Sequence, residues 1–221
     1  MGDMLQFSCP NNGSGNGYLA SAGASVKGNI VVIQEWWGLN NQMKAVADRC
    51  AAEGYNALVP DLYRGRVTQD PDEAGHLMEG LDWVGATDQE VCGAARYLKH
   101  RGGAVAVMGY CLGGALAIIA ASKVAEIDLA ICYYGIPPAE VADPASIRVP
   151  FQGHFANRDD WCTPQAVNNL EAGLRSGGVN YELYRYEAAH AFFNEAEPEA
   201  YDEQCAELSW RRTMNFLAEH C

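Results

Sequence analysis

Residues 104 to 117 read AVAVMGYCLGGALA. An apolar, β-prone run stops at Gly109. A thiol sits at Cys111, inside Gly109-Tyr110-Cys111-Leu112-Gly113, and a run of small residues then leaves at helical spacing. Gly-x-Cys-x-Gly between a strand and a helix has the pattern of a nucleophile elbow, normally written with serine. The glycines have a steric reason, because the turn is too tight for side chains on either side of the nucleophile. The helix that follows points free N–H groups at the reacting carbon. Those donors can hold a developing oxyanion, and the helix N-terminus also favours a thiolate.

Outward from this corner the chain alternates. Residues 29 to 34 (NIVVIQ), 56 to 59 (NALV), 104 to 108, 128 to 134 (DLAICYY), 149 to 154 and 180 to 186 (NYELYRY) read as strands. Residues 41 to 53, 113 to 124, 164 to 176 and 199 to 219 carry helical spacing, with Gly54 as a stop signal after the first. The stretch 73 to 101 reads as helix broken near Gly85. Several strands are near-continuous apolar runs, as parallel strands covered on both faces are. Repeated strand–helix units with short links predict a doubly wound, mostly parallel α/β sheet. The first 25 or so residues, with the turn NNGSGNG, predict an antiparallel hairpin at one edge. The whole chain, 1 to 221, is expected to be one domain, and the proline-bearing loop at 135 to 148 is a candidate lid.

Composition narrows the function. The 221 residues are 49 % hydrophobic and carry a formal net charge of -13, which repels nucleic acid phosphates and anionic lipids. No apolar run approaches the ~18 residues of a membrane helix. Eight cysteines occur without a C-x-x-C pair or zinc spacing, and the beginning of the sequence shows no secretory pattern. They are expected to be mostly free thiols in a reducing cytoplasm. Neither a metal nor another cofactor is implied.

In such sheets reactive groups gather beyond the carboxyl ends of the strands. Glu35, Asp61, Cys111, Tyr134, the pair Asp159 and Asp160, and His190 fall there. Elbow hydrolases run nucleophile, acid, histidine along the chain, and Cys111, Asp159 or Asp160, and His190 obey that order. A histidine there handles the thiol proton and later activates water, and the acid keeps the imidazole oriented. A second oxyanion donor is expected from QEWWG at 34 to 38, with the Trp36 N–H beside that of Leu112. A carboxyl at Glu35 disfavours a thiolate, so a resting thiol that ionises when substrate displaces Glu35 is expected.

QEWWG, PDLY (60 to 63), GYCLGG (109 to 114), YYG (133 to 135), HFANRDDW (154 to 161) and HAFFN (190 to 194) together resemble the dienelactone hydrolase family over nearly the whole chain. The resemblance implies an α/β-hydrolase fold, a Cys-His-Asp triad, and opening of an unsaturated cyclic ester. It also implies an activating role for Glu35 and oxyanion N–H groups from Trp36 and Leu112. The family's spacing from His154 selects Asp159, whereas counting back from Pro164 selects Asp160; Asp159 is favoured because it leaves Trp161 at an aromatic position. Two departures concern the arginines that hold the substrate carboxylate in the family's prototype. One position is Asn194 here, and the helix near 73 to 83 contains no arginine. The pocket offers aromatics instead, Trp36, Trp37, Tyr134, Trp161 and Phe192, pointing to a bulkier or less anionic ester or lactone.

Other residues have plainer expected roles. Cys50, Cys132 and Cys205 are core or helix-face residues, and His154 is a satisfied buried histidine. His76, His100 and His220 are solvated, Asp61 anchors its turn, and Arg64 and Arg66 make surface ion pairs. The alternatives to a lactone hydrolase are a general carboxylesterase or thioesterase and a non-catalytic binder of small aromatic ligands. A monomer or a homodimer fits equally.

Overall fold

Five hydrophobic runs become the middle of one sheet because each must be covered on both faces. The computed structural model describes residues 2–221. The chain opens with β1 (Asp3–Ser8), β2 (Ser14–Ala20) and β3 (Gly28–Ile33), then α1 (Asn41–Ala52) and β4 (Tyr55–Pro60). Next come α2 (Pro71–Glu79), α3 (Trp83–Ala86), a π-helical turn (Thr87–Val91) and α4 (Cys92–Lys99). The second half is β5 (Val105–Tyr110), α5 (Leu112–Lys123), β6 (Leu129–Tyr133), β7 (Phe151–Arg158), α6 (Pro164–Ser176), β8 (Tyr181–Ala189) and α7 (Glu203–His220). The eight strands form one sheet in the order β1-β2-β4-β3-β5-β6-β7-β8. The β1–β2 hairpin and the β2–β4 pair are antiparallel, and the other pairs are parallel. This is the doubly wound α/β-hydrolase architecture, with the expected N-terminal hairpin at its edge.

Residue alternation along each central strand feeds two cores. Val31, Ile33, Val105 and Val107 face α4, α5 and α6 and pack with Leu98, Leu116 and Leu170. Ile30, Val32, Ala106 and Met108 face α1 and α7 and pack with Val46, Trp210 and Phe216. Each such aliphatic side chain contributes about 1.5–3 kcal/mol by leaving water. Helix α5 is buried from Leu112 to Ala121, which is why its sequence shows small and apolar residues on all sides.

Several boundaries differ from the sequence reading. The helical stretch breaks at Gly80–Asp82 rather than near Gly85. Gly80 ends α2, and the Asp82 side chain accepts the Gly85 N–H at 2.9 Å to start α3. Strands β5, β7 and β8 run on to Tyr110, Arg158 and Ala189 because their neighbours continue the ladder, with Tyr110 opposite Tyr133 and Arg158 opposite Ala189. The last helix starts at Glu203, capped by Asp202. The 135–148 loop is not a lid. Its Pro144 turn packs on Gly173 of α6, and Ala142 and Ile147 are buried in the core. His220 is half-buried and sits edge-on to Phe216 at 4.6 Å.

Register fixes the site. Ile33 lies opposite Gly109, Tyr110 opposite Tyr133, and Tyr133 opposite His154. The ends of β3, β5 and β6 are therefore level, β7 and β8 run on past them, and the residues just beyond all five meet at one rim. Between β7 and β8 the register shifts at Ala156/Arg158. That shift sets the first residue after β7, Asp159, beside the first after β8, His190.

Candidate active site

The corner after β5 is built by close backbone approach. A Cβ on Gly109 would lie 1.9 Å from the Gly113 carbonyl oxygen, and one on Gly113 would lie 2.3 Å from that of Ile33. Both contacts are impossible for any other residue. The second brings the start of α5 against the end of β3. Cys111 itself has φ 53° and ψ −116°, a left-handed region that L side chains rarely occupy. Its N–H is held by the Tyr133 carbonyl at 3.0 Å.

His190 Nε2 lies 3.2 Å from Cys111 Sγ, and His190 Nδ1 lies 2.7 Å from Asp159 Oδ2. The other carboxylate oxygen of Asp159 accepts the Trp161 and Cys162 N–H groups, each at 2.8 Å. Burial alone would raise the Asp159 carboxyl. The bonds from His190, Cys162 and Trp161 outweigh it and hold the group below the ordinary carboxylate range. It is Asp159, not the exposed Asp160, that reaches His190. Burial and then the Glu35 carboxyl push the Cys111 thiol well above its ordinary value, while the Leu112 N–H beside it pulls the other way. The Trp36 N–H has no protein partner among the described residues.

Glu35 is buried after β3. Oε1 accepts from the Tyr134 hydroxyl at 3.1 Å and Oε2 from Asn194 Nδ2 at 2.5 Å. Burial, then the nearby Glu197 carboxylate, push it up to about 8, against the pull of those two donors. An unfolded chain carries this carboxyl with an ordinary pKa near 4. Between there and about 8 the folded state holds a proton that the unfolded state has lost, so stability falls as pH rises across that window. Glu35→Gln removes that dependence. Relative to the unaltered protein it is expected to gain stability between about pH 5 and about pH 8, measured by denaturant unfolding at each pH. A difference that does not move with pH would rule out a buried neutral carboxyl.

A cavity of about 240 Å³ opens over the thiol. Glu35, Trp36, Cys111 and His190 form its base; Ala191, Met78 of α2, Trp161 and Glu197 form its walls. No lysine or arginine lines it. Of the aromatics expected there, Trp36 and Trp161 line it, and Trp161 is 64 % exposed at the mouth. The other binding candidates stand behind it. Tyr134 is fully buried and holds Glu35, Phe192 is fully buried in the core against Tyr186, and Trp37 donates its indole N–H to Glu197 at 2.7 Å. Asn194 bridges Glu35 and Glu197, the second contact at 3.0 Å.

Glu197 and Met78 escaped the sequence reading. Glu197 belongs to the acidic run NEAEPEA, which looks like solvated surface. Only the turn closed by its N–H on the Asn194 carbonyl, at 3.0 Å, aims it inward. His154 is the satisfied histidine expected, bonded to Tyr186, Gln152 and Thr213; burial and Arg212 push it down to about 3. Asp61 anchors its turn through the Tyr63 and Gly65 N–H groups, and Arg66 pairs with Glu73 at 3.1 Å, both exposed. Cys162 is buried, its thiol raised first by burial. Among the described residues no cluster could hold a metal ion.

The Dienelactone hydrolase family profile matches residues 16–221. The chain belongs to the dienelactone hydrolase family. It is 31 % identical to Protein usf of Aquifex pyrophilus, over 100 % of this chain and 99 % of that protein. It is 27 % identical to carboxymethylenebutenolidase 1 of Cupriavidus pinatubonensis, over 99 % and 97 %. Its fold is similar to that of a dienelactone hydrolase-like promiscuous phosphotriesterase from metagenomic libraries, with a TM-score of 0.86 at 20 % identity, covering 99 % of this chain and 98 % of that one. An esterase of Pyrococcus furiosus superposes with a TM-score of 0.72 at 17 % identity, covering 100 % and 93 %. As a dienelactone hydrolase family member the protein is a carboxylic ester hydrolase, acting on ester or lactone bonds of small molecules. No helix of the described residues is long and apolar enough to cross a membrane.

Proposed function

We propose that this dienelactone hydrolase family member is a cysteine-nucleophile hydrolase that works through a thioester. The observation that carries the reading is the Cys111–His190–Asp159 chain of contacts, 3.2 and 2.7 Å long, at the floor of the cavity. As the general base, His190 donates its Nδ1 proton to Asp159 and presents the Nε2 lone pair to the thiol. As Sγ attacks the carbonyl carbon, its proton passes to Nε2. The carbonyl oxygen becomes an oxyanion held by the Trp36 and Leu112 N–H groups. Collapse breaks the C–O bond, and the leaving oxygen takes the proton from Nε2. In a lactone that oxygen stays tethered to the acyl group. Water then attacks the thioester with His190 as base, releasing the carboxylic acid and restoring the thiol.

Glu35 sets the resting state. Its carboxyl is neutral below about pH 8, beside a thiol that burial keeps protonated. Substrate entering the cavity displaces Glu35 from Tyr134 and Asn194; turned toward solvent, the carboxyl gives its proton to water, and the carboxylate then relays the thiol proton to Nε2 of His190. All eight cysteines are free, which supports a reducing, cytoplasmic setting, and the two shared cores support one domain over 1–221.

The test is intact and peptide mass spectrometry after brief exposure to a panel of small aryl esters and lactones. The Cys111 peptide is expected to gain the mass of the acyl group, and the gain should be lost with hydroxylamine. Turnover with the acyl group on another residue, or on none, would overturn the thioester.

A further inference from the structure

The cavity over Cys111 holds two carboxyls and no lysine or arginine. Among the described residues neither Glu35 nor Glu197 has an ion-pair partner. Glu35 is buried at the base with both oxygens occupied by neutral donors. Glu197 stands half-exposed in the wall. Its Oε1 is fixed by the Trp37 indole N–H and the Asn194 amide, while Oε2 meets no protein donor among the described residues. Those two uncharged donors fix the aim of the carboxyl. Beside it the Trp36 and Trp161 rings meet edge to face, 6.0 Å apart at 69°.

We propose that Glu197, with the rings of Trp36 and Trp161, makes this cavity selective for esters or lactones bearing an ammonium group and against those bearing a carboxylate. The proposal rests on the hydrolase reading of the same cavity. Indole faces and an anion are the groups that together hold an organic cation without demanding directional hydrogen bonds. Met78, the remaining apolar wall, suits the methyl or methylene surface around such a cation. The net charge of -13 acts in the same direction at long range, drawing cations toward the surface and repelling anions. A substrate carboxylate would meet Glu197 with no cation in the lining to offset the repulsion.

Three acetate esters of matched size decide it: acetylcholine, its neutral isostere 3,3-dimethylbutyl acetate, and the anionic 3-acetoxypropanoate. The expected order of kcat/KM is cation, neutral, anion, with steps of about tenfold each at low salt. In Glu197→Gln the cation-to-neutral ratio is expected to fall about fivefold, the indole faces keeping the remainder; any change in the shared chemical step cancels in the ratio. In the unaltered protein the same ratio should shrink as salt is raised, which serves if the variant does not fold. An anion hydrolysed as fast as the neutral ester, or a ratio unmoved in folded Glu197→Gln, would overturn the proposal. Loss of neutral-ester turnover in Cys111→Ala monitors the hydrolase reading separately. If no ester is turned over, that reading fails alone, and tryptophan quenching by choline, 3,3-dimethylbutanol and 3,3-dimethylbutanoate still ranks the charges: cation tightest supports the proposal, and any other order ends it.

Discussion

Cys111→Ala is expected to lower kcat for p-nitrophenyl acetate by about a thousandfold or more. The alanine keeps the backbone and loses only the sulfur, so what disappears is the proposed covalent route. The oxyanion donors and His190 remain, and those alone retain a small acceleration over water. The thiol is 3.2 Å from the imidazole that lines the cavity. No second side chain there can form the same intermediate, because Cys111 is the one thiol in the cavity lining. Circular dichroism and the melting temperature should stay close to those of the unaltered protein, since Cys111 makes no side-chain cap for α5. Activity remaining within about tenfold would mean that water is activated directly and no thioester is formed.

Asp159→Asn should cost about two to four orders of magnitude in kcat/KM, and Asp160→Asn almost nothing. In the first variant the new amide oxygen could still accept the Trp161 and Cys162 N–H groups, so the turn after β7 would survive. The amide nitrogen would then face His190 Nδ1. Two donors cannot bond, so the ring is driven to the tautomer with its proton on Nε2, which points an N–H at the thiol instead of a lone pair. Asp160 is exposed and touches neither His190 nor Cys111. Steady-state rates on one neutral ester compare the two variants directly. Equal losses would mean that the acid acts through the surface field rather than through the imidazole.

Much of this site was readable in one dimension, because backbone geometry demanded particular residues. Gly109 and Gly113 are needed where chain touches chain, and the order Cys111, Asp159, His190 follows from strands that end on one rim. The choice of Asp159 over Asp160 was readable only through the family resemblance, since the register shift between β7 and β8 leaves no mark in composition. Aromatic residues near the motifs were legible as neighbours of the site but not as its lining. Tyr134 and Phe192 follow strand ends just as Trp161 does, yet their rings turn into the core. Glu197 was hidden for the opposite reason: an acidic run looks solvated until a turn folds one member inward. The fold itself suffered only at segment ends, where Asp82 and Asp202 caps and ladder pairing overrode local propensity.

The left-handed backbone of Cys111 has an evolutionary consequence. A side chain at φ 53° and ψ −116° costs on the order of 1–3 kcal/mol that glycine would not incur. That is a sizeable share of the margin by which a domain of this kind stays folded. A lineage selected only for robustness would therefore drift toward glycine at position 111, gaining heat tolerance and losing chemistry in a single step. Under the proposed thioester route, retention of a thiol there is maintained against a standing thermodynamic gradient, and demand for the reaction opposes it. The same gradient gives an engineer a route to an inert, hardened scaffold whose cavity still binds what the active protein cleaves.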